Sequence, residues 1–211
     1  MRLVIFRHGI AQDRDDPKSP PDPERRLTAE GIQKTRAAAR GLRALEAVPD
    51  AVLTSPYRRA RETADLVVSA LRLKVEVQET DALLPDAEPQ ALLKALAKLK
   101  GADTVVVTGH APHVDDFLAR SLGCPGPVTE LKKAGAACLE VNPHSARRAK
   151  LLWLVEPKVL RALGGAGTSS GSGASRGGSA LLSTSGVANS RAKASASQRL
   201  STSRTTRTPK S

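Results

Sequence analysis

Cysteine is scarce in this 211-residue chain, with only Cys124 and Cys138. Two such residues make no disulfide framework, and they lack the paired spacing of a zinc site. Long hydrophobic runs are missing as well. No segment is long enough to span a membrane, and the apolar run Leu3-Val4-Ile5-Phe6 is too short for a signal peptide and is followed at once by Arg7. A reducing cytoplasm is therefore the expected location. Internal repeats are absent too.

Past residue 163 the chain holds no acidic residue and no aromatic one. Residues 164–211 are mostly Gly, Ser, Ala, Thr and Arg, and their only larger aliphatics are Leu181, Leu182, Val187 and Leu200. Such a stretch cannot bury enough apolar surface to offset its chain entropy, so a disordered tail is expected there. Residues 1–163 then form one domain of ordinary size. The formal net charge is +12, and seven of those charges are tail residues, from Arg176 to Lys210, which leaves +5 on the domain. A flexible basic tail either associates weakly with an anionic partner or only solubilises the chain. Its lack of stacking aromatics argues against specific single-strand binding.

The domain alternates strand and helix signals. Residues 3–6, 51–54, 73–77 and 104–108 read as strands, and 136–141 and 150–155 as two more, neighbours at an antiparallel sheet edge. Helices are expected from Thr28, which is a plausible N-cap, with Ile32, Ala39, Leu42 and Leu45 facing the core. Others follow Ser55-Pro56, with Ser55 as the cap, and span 89–100, the stretch from Pro112 through Leu122, and 157–163. Pro17, Pro20, Pro21 and Pro23 make residues 11–26 a loop that can fold over whatever lies after the first strand. This order argues for an α/β sandwich with a mainly parallel sheet.

Three strand ends carry chemistry. Arg7-His8-Gly9 ends the first, Ser55 through Arg59 the second, and Gly109-His110 the fourth. Parallel sheets bind ligands at these ends. A lone histidine there is either a satisfied core residue or a functional group. Arginines crowded into a helix's first turn oppose its dipole and suggest that an anion sits among them. Two histidines with several arginines describe a phosphate site with a nucleophile. Nearby arginine charge keeps His8 unprotonated, and we expect a backbone carbonyl to accept its Nδ1–H so that Nε2 attacks. His110, His113, Asp115 and Asp116 offer only a partial ligand set, so neither a metal nor a cofactor is expected.

The residues just described resemble the histidine phosphatase superfamily, which includes phosphoglycerate mutases and acid phosphatases. Arg7-His8-Gly9, then Arg25-Arg26-Leu27-Thr28 with Gly31, then Ser55 through Ala60 with Thr63, and lastly Gly109-His110-Ala111-Pro112, match its motifs in order. The small size and the ending Trp153, Pro157 and Leu160 look most like the SixA-type phosphohistidine phosphatases. The resemblance implies a three-layer α/β/α, phosphoglycerate mutase-like sandwich. It implies that His8 becomes phosphorylated, that Arg7 and Arg59 bind the phosphoryl group with Gly9 beside them, that His110 hydrogen-bonds it, and that Arg25 completes the clamp. Arg58 reads as a surface charge.

Many superfamily members place an acid on the loop after the third strand. Here Glu79, Asp81, Asp86 and Glu88 lie on it with no spacing that selects one, and Asp86 is the weak candidate. Phosphoramidates need less help from an acid than phosphate esters, because the leaving imidazole nitrogen is readily protonated. The leading expectation is thus a metal-independent phosphatase acting on phosphohistidine in a phosphorylated protein. The rival substrate is a small phosphate ester. An adaptor that binds phosphate and uses the basic tail as its arm is the reading of another class.

Overall fold

A computed structural model describes residues 1–144 and 148–166. Its sheet comprises β1 (Arg2–Arg7), β2 (Ala51–Thr54), β3 (Val77–Glu79), β4 (Thr104–Gly109), β5 (Ala136–Glu140) and β6 (Lys150–Val155). The spatial order is β3-β2-β4-β1-β5-β6. The first four strands are mutually parallel, while β5 runs antiparallel to both β1 and β6.

Alternation along the central strands builds two cores. Leu3, Ile5, Val105 and Val107 face α3 (Pro89–Leu96) and α4 (His113–Leu122), packing on Leu92, Leu96, Phe117 and Leu118. Val4, Phe6, Val52 and Val106 face α1 (Ala29–Ala44), α2 (Arg58–Leu71) and α5 (Pro157–Ala166). Both faces of β1 and β4 are covered, which is why each reads as an unbroken apolar run. The result is the three-layer α/β/α sandwich.

Thr28 caps α1, its Oγ1 accepting the Gly31 N–H at 3.0 Å. The buried stripe of α1 is made of Gly31, Thr35, Ala38, Ala39, Gly41 and Leu42, so Ile32 and Leu45 sit only at its margins. These small residues let α5 approach closely. Gly164 packs against the Ala37 carbonyl, where a Cβ would collide with backbone. The composition shift at residue 164 therefore understates the helix, which runs to Ala166: glycine is chosen there for close contact, not for chain freedom. The remainder of the expected tail, 167–211, lies outside the described residues.

Other elements differ from expectation. The third strand is Val77–Glu79 rather than 73–77. Arg72 ends α2 in the left-handed conformation (φ 53°), and the Leu73 N–H turns back to the Val68 carbonyl. Leu73 and Val75 then pack against the α2 face instead of pairing in the sheet. Helix α3 stops at Leu96, because Lys98 and Leu99 tighten into shorter-range hydrogen bonds before Gly101 turns at φ 76°. Ser55 does not cap α2. That helix begins after Tyr57 with no side-chain cap; the Ser55 hydroxyl accepts the N–H of Tyr57 itself, ahead of the helix, and lies against His110.

Candidate active site

The sheet register brings the two histidines together. Arg7 on β1 lies opposite Gly109 on β4, so His8 and His110, one residue on, leave adjacent strand ends. Their ring centroids are 5.0 Å apart. On the other side of β4, Thr54 on β2 pairs with Thr108, which sets Ser55 beside His110. The chain then enters α2, whose first turn delivers Arg59. These groups border a cavity of about 570 Å³, with Arg7, His8, Arg25, Arg59, His110 and Lys133 in its wall. Gly9 leaves room at this corner, since a Cβ there would strike the Thr35 hydroxyl.

Both imidazoles are buried, and for His8 the hydrogen bonds select the tautomer. His8 Nδ1 lies 2.7 Å from the Gly9 carbonyl, which can only accept, so the proton is on Nδ1. Arg59 Nε–H donates to His8 Nε2 at 3.3 Å, consistent with a bare lone pair there. Burial, against the Gly9 hydrogen bond and together with the charges of Arg59, Arg7 and Lys133, lowers the His8 pKa to about 3. Ser55 Oγ accepts the Tyr57 N–H at 3.3 Å and lies 2.9 Å from His110 Nε2. His110 Nδ1 is buried without a partner. Burial, His8 and Arg59 lower the His110 pKa to about 2. His8 therefore presents an unprotonated Nε2, and His110 an unused Nδ1.

The loop over 8–28 does fold across the site, and it brings a residue that the sequence pattern did not single out. Asp22 accepts from Arg25 through Oδ1, at 2.9 and 2.6 Å, and from Arg59 Nη2 through Oδ2 at 3.1 Å. Its backbone carbonyl also accepts from Arg59 Nη1 at 2.7 Å. One aspartate thus orients two nearly buried guanidinium groups. Burial raises its pKa, but the hydrogen bonds and charges of Arg25 and Arg59 prevail and hold it at about 2. A proline-rich loop carries several aspartates, and only the folded chain distinguishes this one. Arg59 also lies over the Tyr57 ring, at 5.1 Å from its centroid.

Arg7 is anchored by the Leu131 carbonyl, while its Nε is buried without a partner. Burial lowers the pKa of Arg7, with Asp115 and Glu130 opposing. Arg58 is turned outward to Glu62, and Arg61 to Asp65 and Glu79, so of the three arginines in those opening turns only Arg59 enters the site. Asp86 is exposed and is not among the cavity-lining residues, although Pro85 before it is. Asp115 accepts the Leu131 N–H at 2.9 Å. Among the described residues, no three His, Cys, Asp or Glu side chains gather as metal ligands would.

Known proteins resemble this chain in sequence and in fold. The sequence profile of the histidine phosphatase superfamily (branch 1) matches residues 3–83. An uncharacterized protein of the cyanobacterium Picosynechococcus is 36% identical over 168 residues, 76% of this chain and 99% of that one. Phosphohistidine phosphatase SixA of Escherichia coli is 33% identical over 129 residues, 60% of this chain and 76% of SixA. The solved structure of the protein histidine phosphatase SixA with tungstate superposes with a TM-score of 0.65 at 27% identity, covering 76% of this chain and 99% of that one.

Proposed function

Because this chain belongs to the histidine phosphatase superfamily, we propose that the phosphatase acts on phosphohistidine in a phosphorylated protein, with His8 as the residue that receives the phosphoryl group. The observation that carries the mechanism is the His8 tautomer: Nδ1–H is committed to the Gly9 carbonyl, and Nε2 is bare and hydrogen-bonded only by Arg59. A neutral Nε2 attacks phosphorus, the bond to the substrate nitrogen breaks, the substrate imidazole, protonated on its other ring nitrogen, leaves as a neutral ring, and phospho-His8 forms. Water then attacks phosphorus, releasing phosphate and regenerating His8.

Arg7 and Arg59 stabilise the charge spread over the phosphoryl oxygens, and Arg25 supports them from the loop. Binding an anion transfers the Arg59 N–H from His8 Nε2 to a phosphoryl oxygen, which exposes the lone pair at the moment it is needed. With its proton on the unpartnered Nδ1, His110 donates to a phosphoryl oxygen at the same time. No bound metal or cofactor is required by these steps.

Two features favour a nitrogen leaving group over an ester oxygen. The match to E. coli SixA covers three quarters of that enzyme. The two carboxyls weighed as proton donors are poorly suited: Asp22 is held at about 2 between Arg25 and Arg59, and Asp86 is exposed outside the cavity lining, which leaves Asp13 as the carboxylate on the cavity wall. Phosphoramidate cleavage tolerates this, whereas an alkoxide does not. Asp86 is the proton source only on the ester reading.

The test is acid-quench trapping of radiolabelled phosphoenzyme from a phosphohistidine peptide, run beside a panel of sugar phosphates. Acid-labile, alkali-stable label on His8 and preferential turnover of the peptide are expected. Preference for the sugar phosphates overturns the substrate assignment, and a His8→Ala variant with full activity overturns the mechanism.

A further inference from the structure

A second cavity, of about 530 Å³, adjoins the first. Arg7 and Lys133 line both. Beyond that shared wall it is lined by Lys34 on α1, Lys132 before β5 and Arg161 on α5, and by no carboxylate. Five cations from four parts of the chain thus face one space. The charges there are poorly neutralised. Lys34 pairs with Glu30, and Lys132 with Glu156 at 2.7 Å, but all four side chains are well exposed. Such pairs contribute about 0–1 kcal/mol each and yield readily to a competing anion. Lys133 and Arg161 have no ion-pair partner among the described residues. Donors without acceptors continue into the wall, where the Thr35 hydroxyl and Arg7 Nε are buried and unpartnered.

We propose that this cavity recognises an acidic segment of the phosphorylated protein, its carboxylates lying beside the phosphorylated side chain. The inference rests on the phosphatase reading of the His8 site and adds a substrate class to it. A second phosphate fits less well. Phosphate recognition favours converging arginine forks, whereas three of these five cations are lysines, which act as separated point charges. They are spread over a space large enough for several carboxylates. Arg7 and Lys133 couple the two cavities, so an acidic flank seated in one directs the phosphoryl group into the other.

The test uses the full chain and four peptides of one length, phosphorylated on histidine or on serine, each with Asp/Glu or Asn/Gln flanks. The expected result is a KM about tenfold lower for the acidic-flank peptide of whichever pair is turned over, with kcat unchanged. Lys34→Gln and Arg161→Gln together should remove that preference by raising only the acidic peptide's KM, and turnover of phosphoramidate should stay as in the parent. The preference should also fade at high salt. Equal KM for acidic and neutral peptides overturns the proposal. So does a preference that survives in the double variant, which would assign it to the basic tail. Dependence on Lys34 and Arg161 for propane-1,3-diyl bisphosphate but not for the acidic peptide overturns it in favour of a second phosphate. If only the phosphoserine pair is hydrolysed, the phosphohistidine reading fails while the flank comparison still decides the cavity's role.

Discussion

Among the described residues, Asp22 supplies the carboxylate that Arg25 and Arg59 share before any substrate arrives. It holds Arg25 and Arg59, whose side chains are 10% and 2% exposed, and two cations this buried are unfavourable without an anion. Asp22→Asn should lower stability by on the order of 3 kcal/mol, the low end for a buried pair because Asp22 itself is partly exposed. Inorganic phosphate should recover more of the melting temperature in the variant than in the parent, since it supplies the missing charge. Thermal melts with and without phosphate check this. The pH dependence separates Asp22 from the histidines. Asp22 has a depressed pKa, so its contribution is fully present above about 4 and is lost as pH falls towards about 2. His8 and His110 are also depressed, to about 3 and about 2, but from an unfolded value near 6.5. Below that value the unfolded chain binds protons that the folded one refuses, so stability declines from about pH 6.5 downwards. Urea titrations at pH 7.5, 5.5 and 4.5 should show the decline, and His110→Gln should flatten it.

Strand ends and first turns do the positioning, and their contributions separate by variant. The β2–α2 turn places Ser55 against His110 Nε2 and Tyr57 beside Arg59, so the turn both holds an imidazole and covers a cation. Ser55→Ala removes the partner of His110 Nε2 and strands a buried nitrogen, a cost of about 1–3 kcal/mol. We expect kcat to fall roughly tenfold or more, with the fold retained by circular dichroism. By contrast, Gly164→Val, at the α1–α5 contact, should destabilise by about 1–3 kcal/mol through overpacking and leave kcat unchanged. The comparison of the two separates elements that hold the site from elements that only close the core.

The described residues form a sandwich whose strand ends and loops build the site, and we expect that site to need none of residues 167–211. A chain ending at Ala166 should therefore keep its turnover of phosphoramidate within about twofold, a difference under 0.5 kcal/mol. A large loss of turnover would bring the adaptor reading, or an essential tail, back into consideration. No helix among the described residues is long and apolar enough to cross a membrane.

Arg7-His8-Gly9, Arg59 and Gly109-His110 were legible in the sequence because each follows a short apolar run or a helix start, and local pattern alone marks such places. A mainly parallel sheet with an antiparallel edge was legible for the same reason, since burial on one or two faces leaves a period in the residues, but the strand order and the true place of the third strand at Val77–Glu79 were not. What lay beyond reach were the pairings that depend on distant chain segments meeting. Nothing local separates Asp22 from Asp13 or Asp16, or shows that Ser55 serves a histidine 55 positions away instead of a helix end. Likewise, Gly164 reads as chain freedom until α1 is seen against it. Sequence determined which groups could do phosphoryl chemistry and which strand ends carry them. Tertiary structure decided their protonation, their partners and the second basic cavity, because burial, charge and hydrogen bonding at a point are sums over every segment packed around it.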